Sequence, residues 1–391
     1  MRLMLALALF LLTAGLGAAG QQTMVVGYIG QQRKPALPLG PLDEAAGDDG
    51  LQGARLGIAD DDSTGRFVGQ RFRLEERILK PAEAPDDAVR QFANAGIAFV
   101  VADLDAGQLL QASAAPGAER MILFNSRAPD DELRQQECRK NVLHTIPSRA
   151  MLADGLAQYL VWKRWLHWFL LVGPHKQDQA MAAAFRRAAA RFGAQITTDQ
   201  PWTFRPANGR ADTGHVTLQS EIPAVTQVGD YDVLVVADEA DEFGAYLEGR
   251  TAAPRSIAGT QGLVATGWSP VNEEWGATQL QDRFHKQAGR WMLPSDYAAW
   301  LAVRSVGEAA TRLNSLDAIS IGKYLRGEPF LLAGFKGQGL SFRPWDGQMR
   351  QPVLIAGPRV LVSSSPQPGF LHQRTPLDTL GIDREESTCS F

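Results

Sequence analysis

The side chains that could do covalent or metal chemistry are present in this chain but never at a working spacing. Its six histidines form neither an HxxxH nor an HExxH pair, and two distant cysteines complete no metal-ligand set. There is no GxSxG elbow, no Cys/His pair of recognisable spacing and no pair of carboxylates in a known catalytic arrangement, so enzyme activity has little support. Asp60, Asp61 and Asp62 form a run rather than the alternating ligands of a calcium loop, and they sit where a helix should end. Trp162, Trp165 and Trp168 recur every three residues, but a helix expected to end near Arg164 breaks that stripe into packing residues. Gly27 and Gly30 do not make a GxGxxG turn and no GxxxxGK[ST] loop occurs, so no nucleotide or other cofactor is expected. Recognition of a small molecule remains, by polar residues that the fold must gather.

The gathering elements are regular. MVVGYIG reads as a buried strand, since Val25, Val26, Tyr28 and Ile29 follow almost continuously. LQGARLGIADDD reads as a helix with Leu51, Ala54, Ile58 and Ala59 on one stripe. Open α/β sheets place ligands at the carboxyl ends of their strands, which makes Gln31 to Gly50 the first candidate ligand wall. RFRLEERIL alternates like an edge strand; PDDAVRQFANAG is a helix stopped at Gly96. IAFVVAD, DAGQLLQASAAPGAE and MILFNS complete a βαβαβα order, the pattern of a doubly wound parallel sheet.

From Asn141 the pattern starts again. Ser148 is placed to cap a helix over MLADGLAQYLVWK, followed by the strand HWFLLVG and the helix DQAMAAAFRRAAARFG. AQITTDQPWTF and YDVLVVAD are further strands, with a helix expected from Glu242 to Glu248. GLVATGWSP then leaves this second lobe for two helices, of which DYAAWLAVRSVGEAATRL carries a stripe of Ala299, Val303, Val306, Ala310 and Leu313. The Asp-Gly pair in WDGQMR marks a hairpin between FKGQGLSF and QPVLIA. The late helices are expected to complete the first lobe and the hairpin the second, giving several crossings of the kind from which a hinge is built.

Composition sets the compartment. MRLMLALALFLLTAGLGAAG has an early positive charge, an apolar run and small residues at its end, the form of a cleaved export signal ending near Ala19 or Gly20. About 370 residues then remain, enough for two domains at roughly 100 to 200 residues each. The net charge of −4 comes with dispersed basic residues, leaving no footprint for nucleic acid. Two cysteines in an exported chain favour a Cys138–Cys389 disulfide that pins the tail to the first half of the chain.

The order of elements resembles the type 1 periplasmic binding proteins of the branched-chain amino acid group. The resemblance is carried by VVGYIG with LQGARLGIADDD, VVADLDAGQLLQAS with MILFNS, the crossing at HTIPS and the hairpin LSFRPWDGQ. A narrower likeness lies in CRKNVLHTIPSRAMLADGLAQYLVWKRW, DYAAWLAVRSVGEA, FKGQGLSFRPWDGQMRQPVL and LDTLGIDREESTC. These are similar to the ABC-type solute-binding proteins associated with PQQ-dependent alcohol dehydrogenase systems. The resemblance implies a fold of two doubly wound α/β lobes joined by a multi-strand hinge. Residues 21–145 with 266–333 would form lobe 1, 146–265 with 334–370 lobe 2, and 371–391 a tail. It also implies a periplasmic protein that takes a small polar ligand to an ABC permease, with a PQQ-dependent dehydrogenase system as a further partner. A ligand-sensing or dehydrogenase-accessory role without transport stays open.

In such a fold the ligand meets loops at strand ends of both lobes. From the first lobe these are Gln31, Gln32 and Arg33, then Asp103 and Asp105, then Asn125, Ser126 and Arg127. From the second they are His175 with Lys176, Trp202 with Phe204, and Asp238 with Glu239. Amino-acid-binding relatives hold the α-carboxylate with a Ser/Thr-rich loop where this chain has Asp103-Leu104-Asp105-Ala106-Gly107. Two carboxylates at such a mouth are expected to repel an anionic ligand.

Overall fold

The computed structural model describes residues 22–33, 46–202 and 221–390. The expected export signal, Lys34 and Phe204 lie outside them. The first lobe is built on β1 (Gln22–Gln31), α1 (Leu51–Gly65), β2 (Gln70–Leu79), α2 (Asp86–Asn94), β3 (Phe99–Asp103), α3 (Ala106–Ala114), β4 (Ile122–Asn125) and β5 (Val142–His144). The five strands are parallel in the order β2-β1-β3-β4-β5, with β2 at an edge as its alternation requires. Near-continuous apolar runs arise because both faces are covered: Val26, Tyr28 and Val101 point into one core cluster, Ile29, Val100 and Ala102 into the other.

The second lobe begins with α4 (Arg149–Trp162), β6 (His167–Val172), α5 (Lys176–Phe192), β7 (Gln195–Pro201), β8 (Val233–Ala237), β9 (Ser256–Gly259) and β10 (Leu263–Thr266). The chain then returns for α6 (Ala277–Ala288), α7 (Pro294–Leu313) and α8 (Ala318–Leu325), whose buried faces all join the first-lobe core. Gly53 makes the α1–α7 contact possible, because a Cβ there would lie 1.8 Å from the Asp296 carbonyl oxygen. Three short strands follow, β11 (Leu332–Ala333), β12 (Gly339–Phe342) and β13 (Met349–Arg350), and then β14 (Val353–Ala356) and β15 (Leu361–Ser365). The second sheet runs β15-β14-β10-β9-β8-β6-β7, parallel except at β14 and β15.

Three expectations are corrected. The β12–β13 hairpin does not complete the second sheet: Leu340, Phe342 and Met349 pack in the first-lobe core, and only β14 and β15 pass to the second lobe. The helix expected at 242–248 is a single 3-10 turn at Gly244–Tyr246, because Asp238 draws the amides of Glu242, Phe243 and Gly244 onto its carboxylate. Asp60, Asp61 and Asp62 lie inside α1, which runs on to Gly65, and each has a basic partner: Arg283, Arg304 and Arg71 respectively. The tryptophan stripe is divided as expected, α4 stopping at Trp162 while Trp168 is buried in β6.

Cys138 and Cys389 form a disulfide. The tail leading to it touches everything it passes: Thr379 accepts from Gln158 of α4, Asp378 from Arg343 and Arg350 of the hairpin region, and Thr388 donates to Gln135 beside Cys138. The bond closes a loop of 251 residues between the two lobes. Replacing both cysteines by serine is expected to lower stability to urea by about 2 to 5 kcal/mol, measured under oxidising conditions against the wild-type chain. Unchanged urea midpoints would show that the non-covalent tail contacts suffice.

Candidate functional site

At the carboxyl end of the first sheet, one buried carboxylate collects donors from three chain segments. Asp103, the last residue of β3, is 1% exposed. Its Oδ2 accepts from the Tyr28 hydroxyl of β1 at 2.7 Å and from Arg33 Nη1, two residues beyond β1, at 3.1 Å. Arg33 Nη2 reaches the Asp103 carbonyl at 2.9 Å. Arg127 donates its Nε to Oδ1 and its Nη2 to Asp49 at 2.7 Å. Arg127 is aimed by Asn125, whose Oδ1 accepts the amides of Arg127 and Ala128 and whose Nδ2 donates to the Ala128 carbonyl.

Charge and burial compete here, and the pairs decide the outcome. Burial opposes ionisation of Asp49, yet Arg127 outweighs it and holds this carboxyl below the usual aspartate range. Burial also opposes the charge on Arg127, and Asp103 with Asp49 reverses that, pushing its pKa above the ordinary arginine value. The Tyr28 hydroxyl is pushed well up by burial and by the adjacent Asp103 charge, so it stays a donor. The side chains of Arg127 and Arg33 keep 23% and 27% exposure. Arginine side chain is thus more exposed here than the Asp103 carboxylate it pairs with. Of the two aspartates expected at this mouth, Asp103 is covered, whereas Asp105 caps α3 by accepting the Gln108 amide and stays exposed.

The second lobe answers through Arg149, the first residue of α4. Its Nη1 reaches Asp130, in the loop after β4, at 2.8 Å, and its Nη2 reaches Glu239, just after β8, at 2.7 Å. One side chain thus joins the carboxyl ends of the two sheets. Arg149 is nearly covered, whereas Asp130 and Glu239 keep 31% and 21% exposure, so the acids form the outer surface of this contact. Burial raises the Glu239 pKa more than Arg149 lowers it.

The sequence-derived candidates divide accordingly. Arg33, Asp103, Asn125 and Arg127 are brought into one cluster, and Glu239 into a second one around Arg149. Gln31 and Gln32 lie at the end of β1, where the Gln32 amide donates to the Leu79 carbonyl. Ser126 is buried against the Ala102 carbonyl, Asp238 serves the turn after β8, and His175 caps α5 while pairing with Glu242 at 3.0 Å. Trp202 packs edge-on against Phe243 inside the second-lobe core. Tyr28, Asp49, Asp130 and Arg149 were not singled out as site residues from sequence. Arg149 carried a signal, since a cation in the first turn of a helix opposes the dipole and calls for a nearby acid. Among the described residues no group of three or more His, Cys, Asp or Glu could hold a metal ion.

No protein-family model matches the chain, and no curated protein does. Solved structures do. A branched chain amino acid ABC transporter periplasmic ligand-binding protein from Burkholderia xenovorans LB400 is 16% identical, with 87% of this chain and 95% of that one covered at a TM-score of 0.66. The leucine-, isoleucine-, valine-, threonine- and alanine-binding protein from Brucella ovis, in its closed conformation, is 15% identical over 86% and 90%, with a TM-score of 0.65. A solute binding protein of an ABC transporter from Rhodopseudomonas palustris BisB5, in complex with 3,4-dihydroxy benzoic acid, is 15% identical over 86% and 93%, with a TM-score of 0.61. The chain has the two-lobed type 1 periplasmic binding protein fold.

Replacing Asp103 by Ala strands two partly buried guanidiniums and is expected to cost roughly 3 kcal/mol of unfolding free energy in urea titrations. Tyr28→Phe should cost about 1 kcal/mol alone and close to nothing in the Asp103→Ala background. Because the Asp49 pKa is lowered on folding, its stabilisation is complete above the unfolded value of about 3.9 and is lost as pH falls through the folded one. The stability difference between wild type and Asp49→Asn should therefore be larger at neutral pH than near pH 3; a difference that grew on acidification would contradict the pairing.

Proposed function

We propose that this chain is the solute-binding component of an ABC-type uptake system and holds a small carboxylate between its lobes. The observation that carries this reading is the pair of partly exposed arginines, Arg33 and Arg127, standing in front of the buried Asp103. Their inner edges are fixed by Asp103 and Asp49, while Arg127 Nη1 takes no part in those contacts. A fixed arginine with a donor to spare gives a carboxylate a charge-assisted bond at little ordering cost. Asp130 and Glu239, which flank Arg149 where the carboxyl ends of the two sheets are joined, supply acceptors suited to an ammonium or hydroxyl on the same ligand. Isoleucine, leucine and 3,4-dihydroxy benzoic acid, the ligands seen in structures of this fold, each combine a carboxylate with such a donor.

On this reading the protein works in the periplasm, its lobes close on the ligand about the segments that join them, and an inner-membrane permease receives the closed form. The resemblance to solute-binding proteins of PQQ-dependent alcohol dehydrogenase systems would make the ligand a product or intermediate of alcohol oxidation. Calorimetric titration with a panel of small hydroxy-, amino- and aromatic carboxylates is expected to find at least one ligand that also compacts the protein in small-angle scattering. Arg127→Gln should weaken that ligand by roughly 30-fold or more, the scale of one charge-assisted bond lost in a partly desolvated site. A ligand set confined to uncharged or purely cationic compounds, or binding indifferent to Arg33→Gln and Arg127→Gln, would overturn the carboxylate assignment.

A further inference from the structure

At the opposite end of the first sheet, the amino ends of β3, β4 and β5 border a second concave surface. It lies between those strand ends and α8 and encloses about 850 Å³. β3 is five residues long, so this cavity is roughly 13 Å from Asp103 at the usual rise of a strand. The floor is apolar: Phe99, Met121 and Ile122 are buried, and Ile319 of α8 stands over them with 83% of its surface exposed. Gly322 lets α8 lie close to that floor, since a Cβ there would come within 3.1 Å of Ile122 Cδ1.

The rim carries charge of one sign. Arg120, Lys140, Lys323 and Arg326 face a single acid, Glu119, a local balance of four minus one, or +3, on a chain whose net charge is −4. Glu119 pairs with Arg120 at 3.4 Å. Arg326 is half-buried, and its contacts are neutral: Nη1 donates to the Gly322 carbonyl at 3.2 Å and Nη2 to the Lys140 carbonyl at 2.9 Å. Burial lowers its pKa with no acid opposing the shift, in contrast to Arg127 and Arg149, which are raised by their carboxylates. A guanidinium already stripped of much of its water, without a counter-charge, is a place where an anion gains more than it loses.

We infer that this cavity binds a small amphiphilic anion, a carboxylate head on an apolar body, distinct from the ligand held between the lobes. The head sits among Arg326, Lys323 and Lys140, and the body lies on Phe99, Met121 and Ile122 under Ile319. Neither half of the surface selects this class alone. An apolar floor would accept neutral compounds, and exposed lysines would attract inorganic anions weakly in high dielectric. Together they favour a molecule that satisfies both.

Decanoate titrated calorimetrically into the delipidated full chain is expected to bind at one site. Lys323→Glu, Ile319→Asp and Arg326→Gln should each weaken it at least tenfold, and decanol should bind at least tenfold more weakly than decanoate. The first two changes fall on exposed side chains, so an unaltered thermal unfolding curve will show that they act on the ligand and not on folding. Absence of binding to the wild type, or binding unaffected by Lys323→Glu and Ile319→Asp, overturns the assignment. Co-sedimentation with phosphatidylglycerol vesicles separates the sources of such a head group: a free ligand predicts no Lys323-dependent pelleting. Pelleting lost in Lys323→Glu, with decanoate failing to bind, would overturn the small-molecule reading in favour of a lipid surface.

Discussion

The carboxylate of Asp103 imposes the tightest constraint on this molecule. Moving an unpaired ion of this kind out of water costs several kcal/mol even after relaxation, so its partners must be delivered together. They come from separate segments: Tyr28 from β1, Arg33 from beyond its end, Arg127 from beyond β4. The parallel register that sets Gly30 beside Asp103 and Tyr28 beside Val101 is what brings the hydroxyl and carboxylate within reach. Two glycines exist for the same reason. A Cβ at Gly30 would strike the Tyr28 ring at 2.7 Å, and one at Gly50, where φ is +89°, would lie 2.8 Å from Asp103 Oδ2. Gly30 and Gly50 thus clear space for the buried ion cluster, while Gly27 makes room for Phe92 on the other face of the sheet.

A second convergence lies where the chain passes between the lobes. The passages follow β5, β10 and β13, and they are tied to one another rather than running independently. Gln351 Nε2 donates to the Thr145 carbonyl at 2.7 Å, linking the third passage to the first. Lys336 Nζ donates to Gln351 Oε1 at 2.7 Å and to the Pro352 carbonyl at 3.0 Å, and it lies over the Tyr297 ring. That ring stacks on Trp268 of the second passage at 4.3 Å. Burial lowers the Lys336 pKa well below its ordinary value. The junction is thus held by ring packing and by hydrogen bonds to an amide and two carbonyls.

Much of the fold was legible because its signals are local. Apolar runs at 24–30, 97–103 and 167–172 mark strands covered on both faces, and Ser148, Gly193 and Asp-Gly at 346–347 mark ends and turns by their own chemistry. The failures came where a distant partner overrides a local preference. Nothing within 242–248 says that Asp238 will take three successive amides and leave only one 3-10 turn. Nor does the hairpin itself reveal which core receives it, since Leu340, Phe342 and Met349 would suit either.

The site shows the same division with a sharper consequence. Position at strand ends correctly gathered Arg33, Asp103 and Arg127, because topology alone dictates that β1, β3 and β4 end side by side. Residue type at those positions does not tell that Asp103 is covered while Asp105 stays exposed. Sign at a surface depends on which member of an ion pair is covered. Asp103 is sealed behind two arginines of the first lobe, and Arg149 is sealed behind Asp130 of the first lobe and Glu239 of the second. The charge shown at a strand end follows from which partner of the pair stays exposed: arginine side chains over Asp103, carboxylates over Arg149.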